Sequence, residues 1–182
     1  MPAESALITF YRGSGTDHAG RRLAEILSWD DADLESVHDY IQWLFPNADA
    51  SRANPFAPLL TPADAAIFRS EPELRATLGR AFDRLLRFYG LTRESSAEGG
   101  VEIAPSVNWD ARSRSWLQPS NHNHLRLTRI MKCLNELGLE QEAVALQRTL
   151  VSLGEQRGTR AVSSVTLRYW RAALQRSEAA RE

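Results

Sequence analysis

Apolar residues recur along most of this chain three and four positions apart, and the stretches between them hold the proline and glycine, a pattern that predicts helices joined by turns. The clearest stripe is Leu74, Leu78, Phe82, Leu85 and Tyr89, preceded by Ser70-Glu71-Pro72-Glu73 and followed by Gly90. It reads as a helix with a capping box at its start, proline in its first turn and a glycine C-cap. Thr61-Pro62-Ala63-Asp64 gives the same opening signal just upstream. Leu34, Val37, Ile41 and Leu44 predict one continuous helix from an Asp30 cap to Pro46, with Asp31 and Asp33 at the positive end of its dipole. Leu23, Ile26 and Leu27 predict a helix capped by Thr16 or Asp17.

In the second half, Leu125, Thr128, Met131 and Leu134 form a stripe opened by Ser120 or Asn121 and ended by Gly138. Val144, Leu146, Leu150 and Leu153 predict a helix over 140–153 stopped by Gly154, and Leu167, Trp170 and Leu174 predict a last one capped by Ser163 or Ser164. Three stretches break the pattern. Ala6-Leu7-Ile8-Thr9-Phe10-Tyr11 is a continuous apolar run that reads as an extended arm or short strand. Residues 46–60 are rich in proline, and residues 92–119 are irregular apart from a short strand at Val101-Glu102-Ile103. A loop that long inside a compact domain is commonly functional. The polar tail after Ser177 is expected to fray. The expected fold is therefore all-α: a single compact domain, 1–182 with its core over 8–174, of about seven helices.

Composition adds limits more than identity. A chain of 182 residues suits one domain and buries enough surface to fold without staples. One cysteine, Cys133, allows no internal disulfide, and on its apolar helix it reads as a buried small hydrophobe. A net charge of -1 argues against a nucleic-acid partner. The charge is nonetheless uneven, negative over residues 1–60 and positive over 120–182. That asymmetry fits two ends that dock on each other, or a positive surface for an anionic ligand. No stretch has the length for a membrane span and the N-terminus lacks a signal-peptide pattern, so a cytoplasmic location is expected. The near absence of lysine beside many arginines suggests a bacterial source.

Leu34-Glu35-Ser36-Val37-His38-Asp39-Tyr40-Ile41-Gln42-Trp43-Leu44-Phe45-Pro46 resembles the signature of the opioid growth factor receptor conserved domain. The likeness continues through Asn54-Pro55-Phe56-Ala57-Pro58-Leu59-Leu60-Thr61, Phe88-Tyr89-Gly90-Leu91, Asn121-His122-Asn123-His124-Leu125-Arg126-Leu127-Thr128-Arg129-Ile130 and Tyr169-Trp170. Phe10-Tyr11-Arg12-Gly13 fits as well, so the resemblance covers about residues 8–174. It implies the fold and a receptor-like binding surface; the family is named for vertebrate members described as receptors for an enkephalin-type peptide.

Two polar groups of residues carry the candidate chemistry. On a continuous helix Glu35, His38, Asp39 and Gln42 would form one polar stripe. Glu35-x-x-His38 is also a di-iron spacing, but no second Glu-x-x-His pair exists to complete such a centre. Asn121, His122, Asn123 and His124 start a helix, followed by Arg126 and Arg129, with no acid between Asp110 and Glu136. Free N–H groups and arginines there would receive a carboxylate or phosphate. A metal held by His38, Asp39 and His122 or His124 is a further arrangement of the same residues. The reading adopted is a binding module for a small peptide-like or anionic ligand, without a cofactor or metal. Its expected ligand residues are Glu35, His38, Asp39, Gln42, Trp43, Asn121, His122, Asn123, Arg126, Arg129 and Trp170. A short peptide's ammonium would meet Glu35 or Asp39, its carboxylate Arg126 or Arg129, and its ring a tryptophan. The alternatives are an enzyme using His38 with Asp39, or His122, as acid and base, and a scaffold that takes a protein partner on the 46–60 loop.

Overall fold

The computed structural model of the chain describes residues 4–50 and 54–175, so the tail after Ser177 and part of the proline-rich segment lie outside the described residues. Among the described residues the chain folds into ten α-helices, one 3₁₀ turn and a two-stranded hairpin. It is mostly helical, with more and shorter helices than the sequence predicts and a small sheet in addition. No helix is long and apolar enough to cross a membrane.

The first correction is at the N-terminus, where Ala6–Tyr11 is a helix (α1) and not a strand. Ser5 Oγ accepts from the Ile8 N–H, and Leu7, Ile8, Phe10 and Tyr11 are all buried. With four of its six residues buried and only Ala6 and Thr9 reaching solvent, the helix shows an almost continuous apolar run, which carries no clear helical period to read. Helix α2 (Leu23–Ser28) starts later than expected and has no side-chain cap. Asp17 instead folds the loop before it, accepting from the Ala19 and Arg21 N–H groups.

The expected helix from Asp30 to Pro46 is two helices, α3 (Asp31–Ser36) and α4 (Ile41–Leu44), joined by an irregular step at residues 37–40. Asp30 caps α3 as the sequence indicates. In a continuous helix the Leu34 and Val37 carbonyls would accept from residues 38 and 41. Here they accept from the Arg126 guanidinium, at 2.8 and 2.9 Å, and Tyr40 Oη also donates to Leu34 O. A long-range donor thus replaces the local one and the helix breaks.

Helix α5 (Pro62–Ser70) carries the predicted capping box in full, Thr61 with Asp64. Helix α6 (Pro72–Tyr89) buries the whole predicted stripe and ends at Gly90 in the left-handed region. Its expected capping box does not form, because Ser70 Oγ donates back to Ile67 O and Glu71 takes the cap position. Strands β1 (Leu91–Ser95) and β2 (Val101–Pro105) pair antiparallel, with Leu91 opposite Pro105 and Arg93 opposite Ile103. Helix α7 (Trp109–Trp116) follows, so the segment 92–119 is ordered rather than irregular. Trp116 is fully buried and donates its indole N–H to Tyr89 O, while Arg112 Nε donates to Phe88 O. These two bonds dock α7 on the end of α6.

Helices α8 (Asn123–Glu136) and α9 (Glu140–Arg157) form an antiparallel pair, and β2 rests on α9. Leu125, expected in the α8 stripe, is 72% exposed, and Asn123, His124 and Arg126 are buried in its place. Gly154 lies inside α9 rather than ending it. A Cβ there would stand 3.0 Å from Leu167 Cδ1 and 3.7 Å from Val162, so the glycine lets α10 (Ser164–Ala172) approach closely. Ser163 caps α10, and Trp170 on that helix is fully buried.

Candidate functional site

The N-terminal end of α8 meets the break between α3 and α4, and the sequence-predicted residues divide there into an inner and an outer set. Ser120, at φ 61, turns the chain into α8. Asn121 closes that turn, its Oδ1 accepting from the N–H of Asn123, the first residue of α8, and its amide donating to Ser115 O. His122 stands at the cap position without a side-chain bond to the helix. Asn123 is fully buried and donates to Glu35 Oε2 at 3.1 Å. Its carbonyl oxygen accepts from Tyr89 Oη and from Arg126 Nη1. Burial pushes the Tyr89 phenol well up, and likewise takes Tyr40 up to about 12 despite the nearby Arg126 charge, so both act as neutral hydrogen-bond groups.

Arg126 is the hub. Besides the two backbone carbonyls it donates to His38 Nδ1 at 3.0 Å and lies over the Tyr40 ring at 5.5 Å. Guanidinium has donors only, so His38 Nδ1 accepts and its proton sits on Nε2. The His38 and His122 rings meet edge to face at 5.1 Å, and His122 Nε2 stands 3.4 Å from Glu35 Oε1. Desolvation, joined by the Arg126 charge, lowers the His122 pKa against the pull of Glu35. His38 and His122 are exposed and Glu35 is half-buried. Together the three form an outer rim with one carboxylate, one outward imidazole N–H and a second imidazole.

Asp39, next in the chain, belongs to an adjoining cluster. Its Oδ1 accepts from Arg21 Nη2 at 2.9 Å, and its Oδ2 pairs with His18 Nε2 at 3.1 Å. Partial burial would raise this carboxyl, but the bond and charge of Arg21, with His18, lower it overall. Trp43 donates its indole N–H to His18 Nδ1 at 3.0 Å, and the two rings lie nearly parallel. Phe56 lies parallel to the His18 ring at 5.8 Å and is 70% exposed. Asn54 fixes that loop to the step, donating to Asp39 O and accepting from the Phe56 N–H.

Several expected roles change in this light. Arg126 is spent on the step at 37–40, and Arg129 donates to Phe45 O, with burial lowering its pKa. Arg126 is thereby closed to an anion, while Arg129, half-buried, has one N–H directed to the backbone. Trp170 lies in the core and donates to His124 O. Gln42 is buried on α4, where its Oε1 has no partner among the described residues. His124, also buried, has Nε2 on Trp116 O, which removes it from any site with His122. The arrangement of His38, Asp39 and a second histidine as metal ligands does not form. Asp39 turns to Arg21 and His18, and no group of three ligating side chains suited to a metal occurs among the described residues. For acid–base work, Asp39 pairs with His18 and not His38, and both His18 nitrogens already hold partners. Cys133 is fully buried with its thiol pushed well up by desolvation, as a small core residue should be.

Sequence reasoning missed His18, Phe56 and Leu125. Leu125 reads as part of the buried α8 stripe and Phe56 as part of a proline-rich loop, so neither pattern marks the residue as an exposed apolar group. His18 sits in a loop where only tertiary contacts define a role.

The profile of the opioid growth factor receptor (OGFr) conserved region matches residues 7–182. Among curated proteins, the human opioid growth factor receptor is 39% identical over 115 residues, 63% of this chain and 16% of that protein. The mouse opioid growth factor receptor is 41% identical over 115 residues, 63% of this chain and 18% of that protein. The Xenopus tropicalis opioid growth factor receptor-like protein 1 is 39% identical over 124 residues, 66% of this chain and 23% of that protein. The chain thus spans under a quarter of the length of each of these relatives. No solved structure matches it.

Proposed function

The chain belongs to the opioid growth factor receptor conserved-region family, and from that membership we propose that it is a receptor-like binding module for a small peptide-like ligand. The ligand engages the outer rim of the α3–α8 junction. The observation that carries this reading is the rim itself: exposed His38 and His122 and half-buried Glu35 stand on a substructure locked from behind by Arg126 and Asn123. Rigid support behind an exposed polar set lowers the ordering cost of binding. Glu35 receives the ligand's ammonium, and the His38 Nε2–H donates to a ligand carbonyl or carboxylate. An aromatic or aliphatic side chain of the ligand packs on Phe56, exposed against His18, or on Leu125, exposed three residues along from His122. The anionic end is thereby assigned to imidazole rather than to Arg126 or Arg129, whose guanidinium groups bond backbone carbonyls.

A cytoplasmic location, a bacterial source and the absence of a nucleic-acid partner belong to the same proposal, resting on composition alone. The test is calorimetry with a tyrosine-led pentapeptide of enkephalin type, its N-acetylated form, and the Glu35→Gln variant. The expected result is binding by the free-amine peptide, weakened about tenfold by acetylation or by the substitution, the size of one charge-assisted hydrogen bond. Equal affinity for both peptides, or an unaffected variant, contradicts the assignment of Glu35.

A further inference from the structure

A cleft of about 680 Å³ opens between α6 and the β-hairpin, sharing no residue with the α3–α8 junction. Arg80, Arg84 and Arg87 reach it from one face of α6, at i, i+4 and i+7, and Arg93 enters from β1. Asp83 is the one carboxylate in the lining. The charges in this cleft are not all answered by the protein. Arg93 is held by Asp83 at 2.8 Å and Glu142 at 3.0 Å. Arg84, buried, donates to Trp29 O and pairs with Asp31 at 3.0 Å. Arg80 donates only to the Thr77 hydroxyl, and Arg87 has no side-chain partner among the described residues.

Like charges a turn apart on a helix repel, and Asp83, three residues after Arg80 and four before Arg87, is turned to Arg93, so neither Arg80 nor Arg87 has an ion pair among the described residues. The intervening Arg84 is fixed, so the excess positive charge faces the cleft. Leu27, half-buried, and Val107, fully exposed at the rim, are the accessible apolar side chains of the lining, with Leu86 and Leu91 covered behind them. The volume lies within the roughly 300–1,000 Å³ of small-molecule sites. We propose that this cleft binds a small organic anion, its phosphate or carboxylate held by Arg80 and Arg87 and its apolar part against Leu27 and Val107. The site is independent of the peptide-binding rim and stands or falls separately from it.

Phenyl phosphate, benzoate and neutral benzyl alcohol, added to the ¹⁵N-labelled full chain at matched ionic strength, test the proposal. The expected result is saturable amide shifts at Leu91, Thr92, Val107 and Asn108 with an anionic probe, and a weaker response to the alcohol. A stronger response to phenyl phosphate than to benzoate assigns a phosphate ligand; the reverse assigns a carboxylate. Arg80→Gln with Arg87→Gln should weaken the preferred probe at least about tenfold. Val107→Asp, at an exposed rim position, should weaken it as well, while Arg157→Gln on α9 leaves it unchanged. The proposal is overturned by absence of saturation up to about 20 mM, weaker than any functional affinity for so small a probe. It is equally overturned if benzyl alcohol binds as well as the anions, or if the double variant binds like the parent.

Discussion

Replacing Arg126 by alanine would leave the Leu34 and Val37 carbonyls without their donor inside a closed interface and remove the partner of His38 Nδ1. Each unsatisfied buried group costs about 1–3 kcal/mol, so Arg126→Ala should lose about 3 kcal/mol or more in urea unfolding. Arg126→Lys should recover less than half, since an ammonium cannot fork between the two carbonyls. A loss under about 1 kcal/mol would show that the step at 37–40 closes without it. His124 sets a pH dependence. Desolvation lowers its folded pKa, so the unfolded chain takes up the proton first as pH falls. Stability therefore declines on acidification below about 6.5, with His122 adding in the same direction. Thermal melts between pH 7.5 and 5 should show that decline, and His124→Gln should flatten it. An unchanged slope in the variant would remove His124 from the account. Asp39 acts in a lower window: its depressed carboxyl contributes stability above the unfolded value near 3.9, lost as pH falls through the folded one. These residue roles were only partly legible in the sequence. Glu35 and His38 fall in one expected polar group and His122, Asn123 and Arg126 in another, but spacing does not show that the two groups meet, and Arg126 reads as a ligand group until its partners are seen to be backbone carbonyls 89 and 92 positions away.

Element boundaries follow local chemistry where the chemistry is local. The Thr61–Asp64 box forms, as does the Gly90 cap, and both were readable from spacing alone. The Ser70–Glu73 box has the same letters but does not form, because α5 runs through Ser70 and uses it as its last residue. The pair makes a clean comparison: Thr61→Ala should cost about 1 kcal/mol, and Ser70→Ala only a few tenths. Equal losses would mean that the α5–α6 boundary lies elsewhere. Gly90 is more demanding. At φ +77, an added Cβ would stand 2.9 Å from Arg112 Cβ and 3.0 Å from Trp109 Cα. Gly90→Ala should lose more than about 2 kcal/mol, combining the left-handed backbone penalty with displacement of α7. The split of α3 from α4, the α1 helix and the ordered segment after residue 92 escaped sequence reading for one reason. Each is decided by a long-range contact: Arg126 on the α3–α4 step, the burial of Leu7, Ile8, Phe10 and Tyr11 on α1, and the docking of Trp116 on Tyr89 O.

At the scale of the whole molecule, the acidic first third and basic last third meet. Glu35 lies against His122 and Asn123, and Arg126 crosses from α8 to the α3–α4 step. Much of the charge asymmetry that suggested an anion-receiving helix start is therefore used in docking the two ends of the chain. What stays open to solvent at that seam is the rim of Glu35, His38 and His122 beside the aromatic loop at Phe56. The arginine cleft on α6 is a second and separate surface. The most direct measurement of the central claim is a ¹H–¹⁵N titration of the full chain with the free-amine pentapeptide, mapped onto the fold. The account predicts saturable shifts confined to residues 35–39, 54–60 and 121–126, lost together in Glu35→Gln. Saturable binding mapped to any other face, with the rim undisturbed, would contradict it.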